Sequence, residues 1–321
     1  MKGTEKMNLY IIVPENRVSG GPELAHQLCS ALNRLTDIKA YMCYVTTTKP
    51  YQLAVDIPAP TPYLMYETTH ATDLSIVNSP DSIVVVPEAL TPSMLMVPKA
   101  KKILWWMSVD NYINSTNEEN LEYIKENTFL HLFQSHYSID YVNKKMPGVK
   151  GLFLSDYINE AHGKFIYPAE FRHNIALYNP AKGYNELKPL IEKADWLDWV
   201  PIANMDVEKV VFMMQAGKIY IDFGEHPGKD RIPREAAANG CCVITNKKGS
   251  AAFTEDVPIP EQFKFDTPSS HLDEINSLMH KICDDFKTYQ DMFSDYRDFI
   301  KSEKSLFEGD VVKFAELLKT N

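Results

Sequence analysis

The chain has 321 residues and a formal net charge of −10, and 45% of its residues are hydrophobic. This length favours two domains over one, and the acidic balance argues against wholesale binding of nucleic acid. We expect neither a membrane span, which needs about 20 apolar residues in a row, nor a cleaved signal peptide. The five cysteines form no CxxC pair, so we expect buried free thiols in a reducing cytoplasm.

The first half of the chain alternates buried strands with helices, which favours a parallel α/β sheet. The predicted strands are Leu9–Val13, Lys39–Val45, Ser82–Val86, Lys102–Met107, Leu130–Gln134 and Lys150–Leu154. Helices are predicted over Pro22–Leu35 and His136–Lys145. Residues 50–80 are rich in Pro and Thr, and no regular structure is expected there. Residues 157–171 lose the alternation and form a candidate linker between domains.

Two glycines follow the first predicted strand, in the sequence VSGGPELAHQL. Gly20 and Gly21 allow a ligand to approach the backbone closely, and the helix that follows offers free N–H groups. The spacing is neither G-x-G-x-x-G nor that of a P-loop, so a dinucleotide cofactor is disfavoured. The alternative is a plain tight turn.

A second candidate lies at the carboxyl end of the strand in KKILWWMSVDNY. Ligands bind at the carboxyl ends of strands in open α/β sheets, so Asp110 is a candidate contact for an acceptor hydroxyl. An equally good interpretation is that Asp110 caps a helix or a turn.

A second alternation of strands and helices begins at residue 174. The predicted strands are Asn174–Tyr178, Trp199–Ala203, the segment from Ile219 to Phe223, Cys241–Thr245 and Gln262–Asp266. The predicted helices are Tyr184–Ala194, Val207–Ala216 and Arg231–Asn239, and Ser269–Lys319 is mostly helical. This pattern predicts a second α/β domain with a helical tail.

The loop Gly224–Asp230 is rich in charged residues. Glu225, His226 and Lys229 lie in it, and Arg231 opens the following helix. A helix N-terminus beside two cations suits an anion such as a diphosphate. An ordinary strand–loop–helix connection is the alternative.

The segment REAAANGCCVIT, residues 234–245, resembles E-A-x-A-x-G-x-P-V-I of the retaining glycosyltransferases of family four, also called glycosyl transferases group 1. That family has the GT-B fold and holds its nucleotide sugar with an E-x7-E motif. Glu235 matches the second Glu, whereas Pro227 stands in place of the first. The resemblance implies a sugar-contacting, catalytic role for Glu235, with Glu225 or His226 supplying the missing function.

The sequence YNPAKGYNEL resembles the Lys-Gly segment with which the family neutralises the diphosphate leaving group. Lys182 and Gly183 match it, and fixed cations stabilise charge that grows on a leaving group. The family's earlier Arg is absent, so Lys229, Arg231 or Arg234 is expected to supply that charge.

The sequence KGSAAFTED resembles the family's small-residue loop near the nucleotide. Its Gly249 and Ser250 are donor-site candidates, and Glu255 is a candidate partner of the ribose hydroxyls. The Gly20–Gly21 loop is similar to the family's Gly-Gly loop near the donor diphosphate.

The resemblance implies a GT-B-like α/β fold, with two Rossmann-like parallel-sheet domains and a cleft between them. We expect an acceptor-side domain at 1–160, a nucleotide-sugar domain at 161–300 and a C-terminal helix at 301–321 that packs on the first domain. The implied activity is retaining transfer of a sugar from a nucleotide-diphosphate sugar to a glycan or other hydroxyl acceptor. A nucleotide-sugar epimerase and a non-catalytic nucleotide-sugar- or glycan-binding protein of polysaccharide assembly remain alternatives.

We expect no metal and no cofactor, because the sequence has no Asp-x-Asp at a strand end and GT-B enzymes need no cation. The expected partners are the nucleotide sugar and a glycan or lipid-linked acceptor, in the cytoplasm, with peripheral membrane association left open. The sequence leaves the sugar, the base, the acceptor, the stereochemical outcome and the oligomeric state undetermined.

Overall fold

The computed structural model describes residues 7–48 and 50–320. The chain forms two compact units. One consists of the chain up to Asp156 together with the segment from Ser305 onward, and the other is Tyr157–Lys304. Each unit is built on its own sheet.

The first unit contains a seven-stranded sheet. Its strands are β1 (Asn8–Pro14), β2 (Lys39–Val45), β3 (Leu53–Ala54), β4 (Ile83–Pro87), β5 (Lys101–Trp106), β6 (Leu130–Phe133) and β7 (Gly151–Phe153). Their order is β3-β2-β1-β4-β5-β6-β7, and only the β2–β3 pair is antiparallel. The strand order therefore reverses between β1 and β4, at a topological switch point.

The helices of the first unit cover this sheet. They are α1 (Gly20–Leu35), α2 (Leu74–Val77), α3 (Val109–Thr116), α4 (Leu121–Asn127) and α5 (His136–Lys145). The sequence did not predict α3 and α4, because both are short and polar and leave only three residues fully buried. The Pro- and Thr-rich region holds the short β3, a 3₁₀ turn at Thr61–Tyr66 and α2.

The second unit contains a five-stranded parallel sheet. Its strands are β8 (His173–Tyr178), β9 (Asp198–Pro201), β10 (Gly217–Asp222), β11 (Cys242–Asn246) and β12 (Lys264–Phe265). The helices that begin in this unit are α6 (Tyr184–Lys193), α7 (Val207–Ala216), α8 (Arg231–Ala238), α9 (Leu272–Asp284), α10 (Phe286–Asp291) and α11 (Ser294–Lys319). The order β12-β11-β10-β8-β9 again reverses in the middle of the sheet, between β8 and β10.

Helix α11 carries a buried side chain every three or four residues along most of its length, which is the spacing of one helix face. Its part beyond Ser305 belongs to the first unit, where Phe307, Val311 and Phe314 are buried. Within that unit, Glu308 of α11 forms an ion pair with Arg34 at 2.6 Å.

All five cysteines are buried and carry free thiols. Among the helices of residues 7–48 and 50–320, none combines the length and the apolar composition that crossing a bilayer would need.

Candidate functional site

The strongest candidate site lies at the switch point of the second sheet. Strand β8 has β10 on one side and β9 on the other, and all three run parallel. The loop 179–183 leaves the carboxyl end of β8, and the loop 223–230 leaves that of β10. Neighbouring carboxyl ends with diverging connections form the crevice in which open α/β sheets bind ligands.

Gly183 allows these two loops to pack backbone against backbone. It caps the N-terminus of α6 in the left-handed conformation, with φ +63°. A Cβ atom at this position would lie 2.6 Å from the carbonyl oxygen of Phe223, closer than side chains come in real structures. Only glycine fits, so the loop that carries Lys182 is held directly against the end of β10.

Gly249 likewise allows backbone to pack against backbone, here between the loop after β11 and the β10–α8 loop. Its φ is +50°, and a Cβ there would lie 2.7 Å from the carbonyl carbon of His226. Next to it, the Ser250 N–H donates to the His226 carbonyl at 2.8 Å, and the Ser250 hydroxyl donates to the Gly228 carbonyl at 2.7 Å. The predicted small-residue loop therefore fixes the backbone of the β10–α8 loop.

Four ionisable side chains form a row at this point, which we call the charge chain: Lys182, Asp230, His226 and Asp222. Lys182 Nζ lies 2.9 Å from Asp230 Oδ1, and His226 Nδ1 lies 3.1 Å from Asp230 Oδ2. His226 Nε2 lies 4.0 Å from Asp222 Oδ1. His226 and Asp222 are buried, whereas Lys182 keeps 36% of its side chain exposed.

The contacts within the charge chain shift its pKa values. Burial acts to lower the pKa of His226, but the carboxylates of Asp230 and Asp222 raise it above its ordinary value. Burial acts to raise the pKa of Asp230, but His226 and Lys182 hold it below its usual range. The pKa of Asp222 is raised, chiefly by burial. With His226 protonated, two cations balance two carboxylates and the chain is neutral.

Two further cations of this region are engaged elsewhere in the unit. Lys229 Nζ lies 2.7 Å from Glu303 Oε1, and Arg234 lies 2.8 Å from Glu303 Oε2, with all three side chains buried. Lys229 also lies over the ring of Phe299. The single carboxylate of Glu303 is shared between these two cations, and the two ion pairs hold the β10–α8 loop and α8 in place. Lys182 is the more accessible cation.

The remaining predicted donor-site residues of the second unit differ in their exposure and in their partners. Glu235 is partly buried in α8, 3.7 Å from His162 Nε2. Glu225 is exposed and pairs with Lys248 at 2.8 Å. Arg231 is partly buried at the first position of α8, and Glu255 is exposed.

The predicted residues of the first unit lie at the carboxyl edge of its own sheet. Gly20 and Gly21 begin α1, after the loop 15–19 that leaves β1. A Cβ on Gly21 would meet Met107 at 3.8 Å, an ordinary contact, so no protein atom requires glycine there. Asp110 lies in the first turn of α3, after β5, and accepts a hydrogen bond from Tyr137 at 2.6 Å.

Sequence reasoning missed three carboxylates. Asp222 and Asp230 stand four residues on either side of His226, a regular spacing that was visible in the sequence. Glu88 follows β4 at the switch point of the first sheet, where it accepts the Met107 N–H at 2.8 Å. Burial raises the pKa of Glu88 to about 7.

The whole chain is similar in fold to solved structures of sugar-handling proteins. Sucrose-phosphate synthase from Thermosynechococcus elongatus matches with a TM-score of 0.67 and 14% identity, over 98% of this chain and 99% of that chain. Anabaena HepE in complex with UDP-glucose matches with a TM-score of 0.68 and 10% identity, over 98% and 100%. The trehalose-6-phosphate enzyme of E. coli with UDP-2-fluoro glucose matches with a TM-score of 0.60 and 9% identity, over 96% and 98%.

No protein-family model and no curated protein matches the chain by sequence. At these identities the structural matches establish the fold, and the expected GT-B-like fold with two parallel-sheet units and a helical tail is confirmed.

Proposed function

We propose that this protein is a glycosyltransferase that moves a sugar from a nucleotide-diphosphate sugar to a hydroxyl group of a glycan or another acceptor. The observation that carries the proposal is Lys182, an accessible cation held at the switch point by the left-handed Gly183. Cleavage of a sugar–phosphate bond leaves negative charge on the diphosphate, and a preorganised cation stabilises that charge.

In this proposal the second unit binds the donor and the first unit binds the acceptor. Lys182 contacts the diphosphate, and the imidazolium of His226 adds a second positive charge nearby. Glu235 accepts hydrogen bonds from sugar or ribose hydroxyls, and Asp110 contacts the acceptor. Gly20 and Gly21 allow a ligand to approach the backbone at the start of α1. A Cβ on Gly21 would make only an ordinary contact there, with Met107 at 3.8 Å.

The choice of donor class is supported by the fold relatives. HepE was solved with UDP-glucose, and the E. coli enzyme with UDP-2-fluoro glucose. We therefore propose a UDP-sugar as the first donor to test. Retention of anomeric configuration is the outcome that the family resemblance implies, and it completes the proposal. We also propose independence from metal ions, because Lys182 supplies cationic charge at the diphosphate position. We place the protein in the cytoplasm on account of its five buried free thiols.

One observation favours a second candidate, a nucleotide-sugar-binding protein without transferase activity. Pro227 stands where the resembling family has its first Glu, so one ligand for the donor sugar is missing from the motif. A binder and an enzyme share the donor site and differ in turnover.

The test combines binding with turnover. We expect UDP-glucose or another member of a panel of UDP-, GDP- and ADP-sugars to bind the wild-type protein in calorimetry. Lys182→Met should weaken that binding by about 1–3 kcal/mol, the range of a charge-assisted hydrogen bond. Lys287→Met is the matched control, since Lys287 is an exposed cation of the same unit that pairs with Asp291.

Turnover is followed as release of the nucleoside diphosphate in excess chelator, with and without a panel of sugar acceptors. Release that depends on an acceptor supports the transferase. Binding without release supports the non-catalytic candidate, and loss of release on chelation, restored by magnesium or manganese, contradicts metal independence. If no nucleotide sugar binds, both candidates are wrong.

A further inference from the structure

We propose that Asp230 is a positioning residue of the donor site. While the site is empty, its carboxylate pairs with Lys182 in place of the diphosphate. When the donor binds and Lys182 turns to the diphosphate, the carboxylate of Asp230 pairs with His226, which takes up a proton. This inference rests on the proposed function and adds a proton to the donor-binding step. Asp230 acts through Lys182 and His226 and need not touch the donor.

The side chain of Asp230 is oriented toward Lys182 and His226 rather than toward the first turn of α8. Asp230 occupies the N-cap position of α8, where an aspartate ordinarily accepts a hydrogen bond from the backbone N–H groups of the first turn. Asp230 makes no such bond. Its two oxygens instead face Lys182 Nζ at 2.9 Å and His226 Nδ1 at 3.1 Å. The carboxylate is therefore shared between the cation that the donor needs and a buried imidazole.

Charged groups of both signs face His226. The charged groups that face it come from three elements: Asp222 from β10, Asp230 from the start of α8, and Lys182 from the β8–α6 loop. Tyr220 donates a hydrogen bond to Asp222 at 3.1 Å, and the β11 loop presents the backbone of Gly249 and Ser250. When a diphosphate draws Lys182 away, the positive charge of Lys182 no longer lies beside Asp230.

The consequence is an uptake of protons on binding. In the empty site the positive charge of Lys182 opposes protonation of His226, whereas both carboxylates favour it. The pKa of His226 therefore rises further once Lys182 and its charge turn to the diphosphate. Below the pKa of the empty state His226 is already protonated, and binding takes up no proton. Between that pKa and the higher pKa of the bound state, affinity falls as pH rises, by up to about tenfold per pH unit for one linked proton.

The probe for this step is UDP-glucose, because its diphosphate is esterified at both ends and does not titrate near neutral pH. Calorimetry in two buffers with different ionisation enthalpies, from pH 6 to 8.5, gives the number of protons taken up. We expect this number to rise with pH in the wild-type protein and to fall near zero in Asp230→Asn. We also expect Asp230→Asn to bind UDP-glucose at least threefold more tightly at pH 7.5, because Lys182 no longer has a competing anion.

Asp206→Asn is the matched control. Asp206 is the N-cap of α7 in the same unit, and its side chain does accept the capping hydrogen bond, from the Lys209 N–H at 2.8 Å. Asparagine caps helices as well as aspartate does, so this variant should leave both affinity and proton uptake unchanged.

The outcomes separate the inference from the proposed function. Binding of UDP-glucose without proton uptake at any pH, or weaker binding by Asp230→Asn with unchanged uptake, overturns the inference and leaves the proposed function standing. Failure of the whole nucleotide-sugar panel to bind overturns both. In the empty protein, an NMR titration of His226 gives an independent reading: its pKa should rise in Lys182→Met and fall in Asp230→Asn. Shifts in the opposite directions contradict the charge chain itself.

Discussion

Replacing Gly183 by alanine tests whether the two loops of the candidate site are in backbone contact. Gly183 has φ +63°, and the left-handed conformation costs an ordinary residue about 1–2 kcal/mol. The new Cβ would also lie 2.6 Å from the Phe223 carbonyl oxygen, against 3.4 Å or more for an ordinary contact. The difference, 3.4 − 2.6 = 0.8 Å, must be supplied by movement of one loop away from the other.

Forcing extra atoms into a packed region costs typically about 1–3 kcal/mol. Together with the backbone cost, Gly183→Ala should lower the free energy of unfolding by about 2–5 kcal/mol. Because Lys182 is the neighbouring residue, the same movement should displace its ammonium group and weaken nucleotide-sugar binding by roughly tenfold, equal to about 1.4 kcal/mol.

Urea denaturation measures the first quantity and calorimetry the second. Gly148→Ala is the control for the backbone cost alone, since Gly148 has φ +84° and no atom within 4 Å of its Cβ position. This variant should cost about 1–2 kcal/mol and leave binding intact. If Gly183→Ala costs no more than Gly148→Ala, the loops are not in backbone contact and the geometry argued for Lys182 is wrong.

Three further predictions concern carboxylates. Glu303→Gln removes the carboxylate that two buried cations share, so it should lower the free energy of unfolding in urea by about 3–5 kcal/mol. The control Glu160→Gln, which breaks an exposed pair, should lower it by less than about 1 kcal/mol. Equal losses would contradict the buried triad. The pKa of Glu88 is raised from 4.5 to about 7, so between these pH values the folded state keeps a proton that the unfolded state releases, and the free energy of unfolding falls as pH rises. The fall should approach about 3 kcal/mol at 1.36 kcal/mol per pH unit, and Glu88→Gln should abolish it. A pH profile of unfolding that Glu88→Gln leaves unchanged would refute this assignment. Glu235→Gln should keep the melting temperature and lose at least tenfold, about 1.4 kcal/mol, in donor binding or turnover; the reverse pattern would make Glu235 a structural residue.

The order of strands and helices was largely predictable from the sequence, because each buried strand of a parallel sheet is a short apolar run bounded by polar residues. Strand β10 and helix α8 show this well, since the apolar run from Ile219 ends in a polar loop and is followed by the alanine-rich segment Ala236–Ala238. Helices α3 and α4 were not predicted, because VDNYINST and LEYIKEN are short and polar. Isolated helices of this length are marginal, so their helical form depends on the packing of a few buried residues such as Tyr112 and Ile124.

The position of the candidate site was predictable to the level of loops but not of partners. Lys182, Gly183, His226 and Gly249 were identified from strand ends and from resemblance to a family. The partner of a cation depends on the tertiary fold, and Glu303 approaches Arg234 from 69 residues further along the chain. No local sequence pattern predicts such a pair, so the Lys229–Glu303 ion pair was not predicted. The role of Lys229 as a diphosphate ligand stays a prediction.

We propose that the diphosphate of a nucleotide sugar binds at the switch point of the second sheet. A crystal structure of the protein grown with UDP or UDP-glucose measures this directly. We expect a phosphate oxygen within hydrogen-bonding distance of Lys182 Nζ, with Lys182 withdrawn from Asp230. A diphosphate bound elsewhere, with the Lys182–Asp230 ion pair intact, would contradict it.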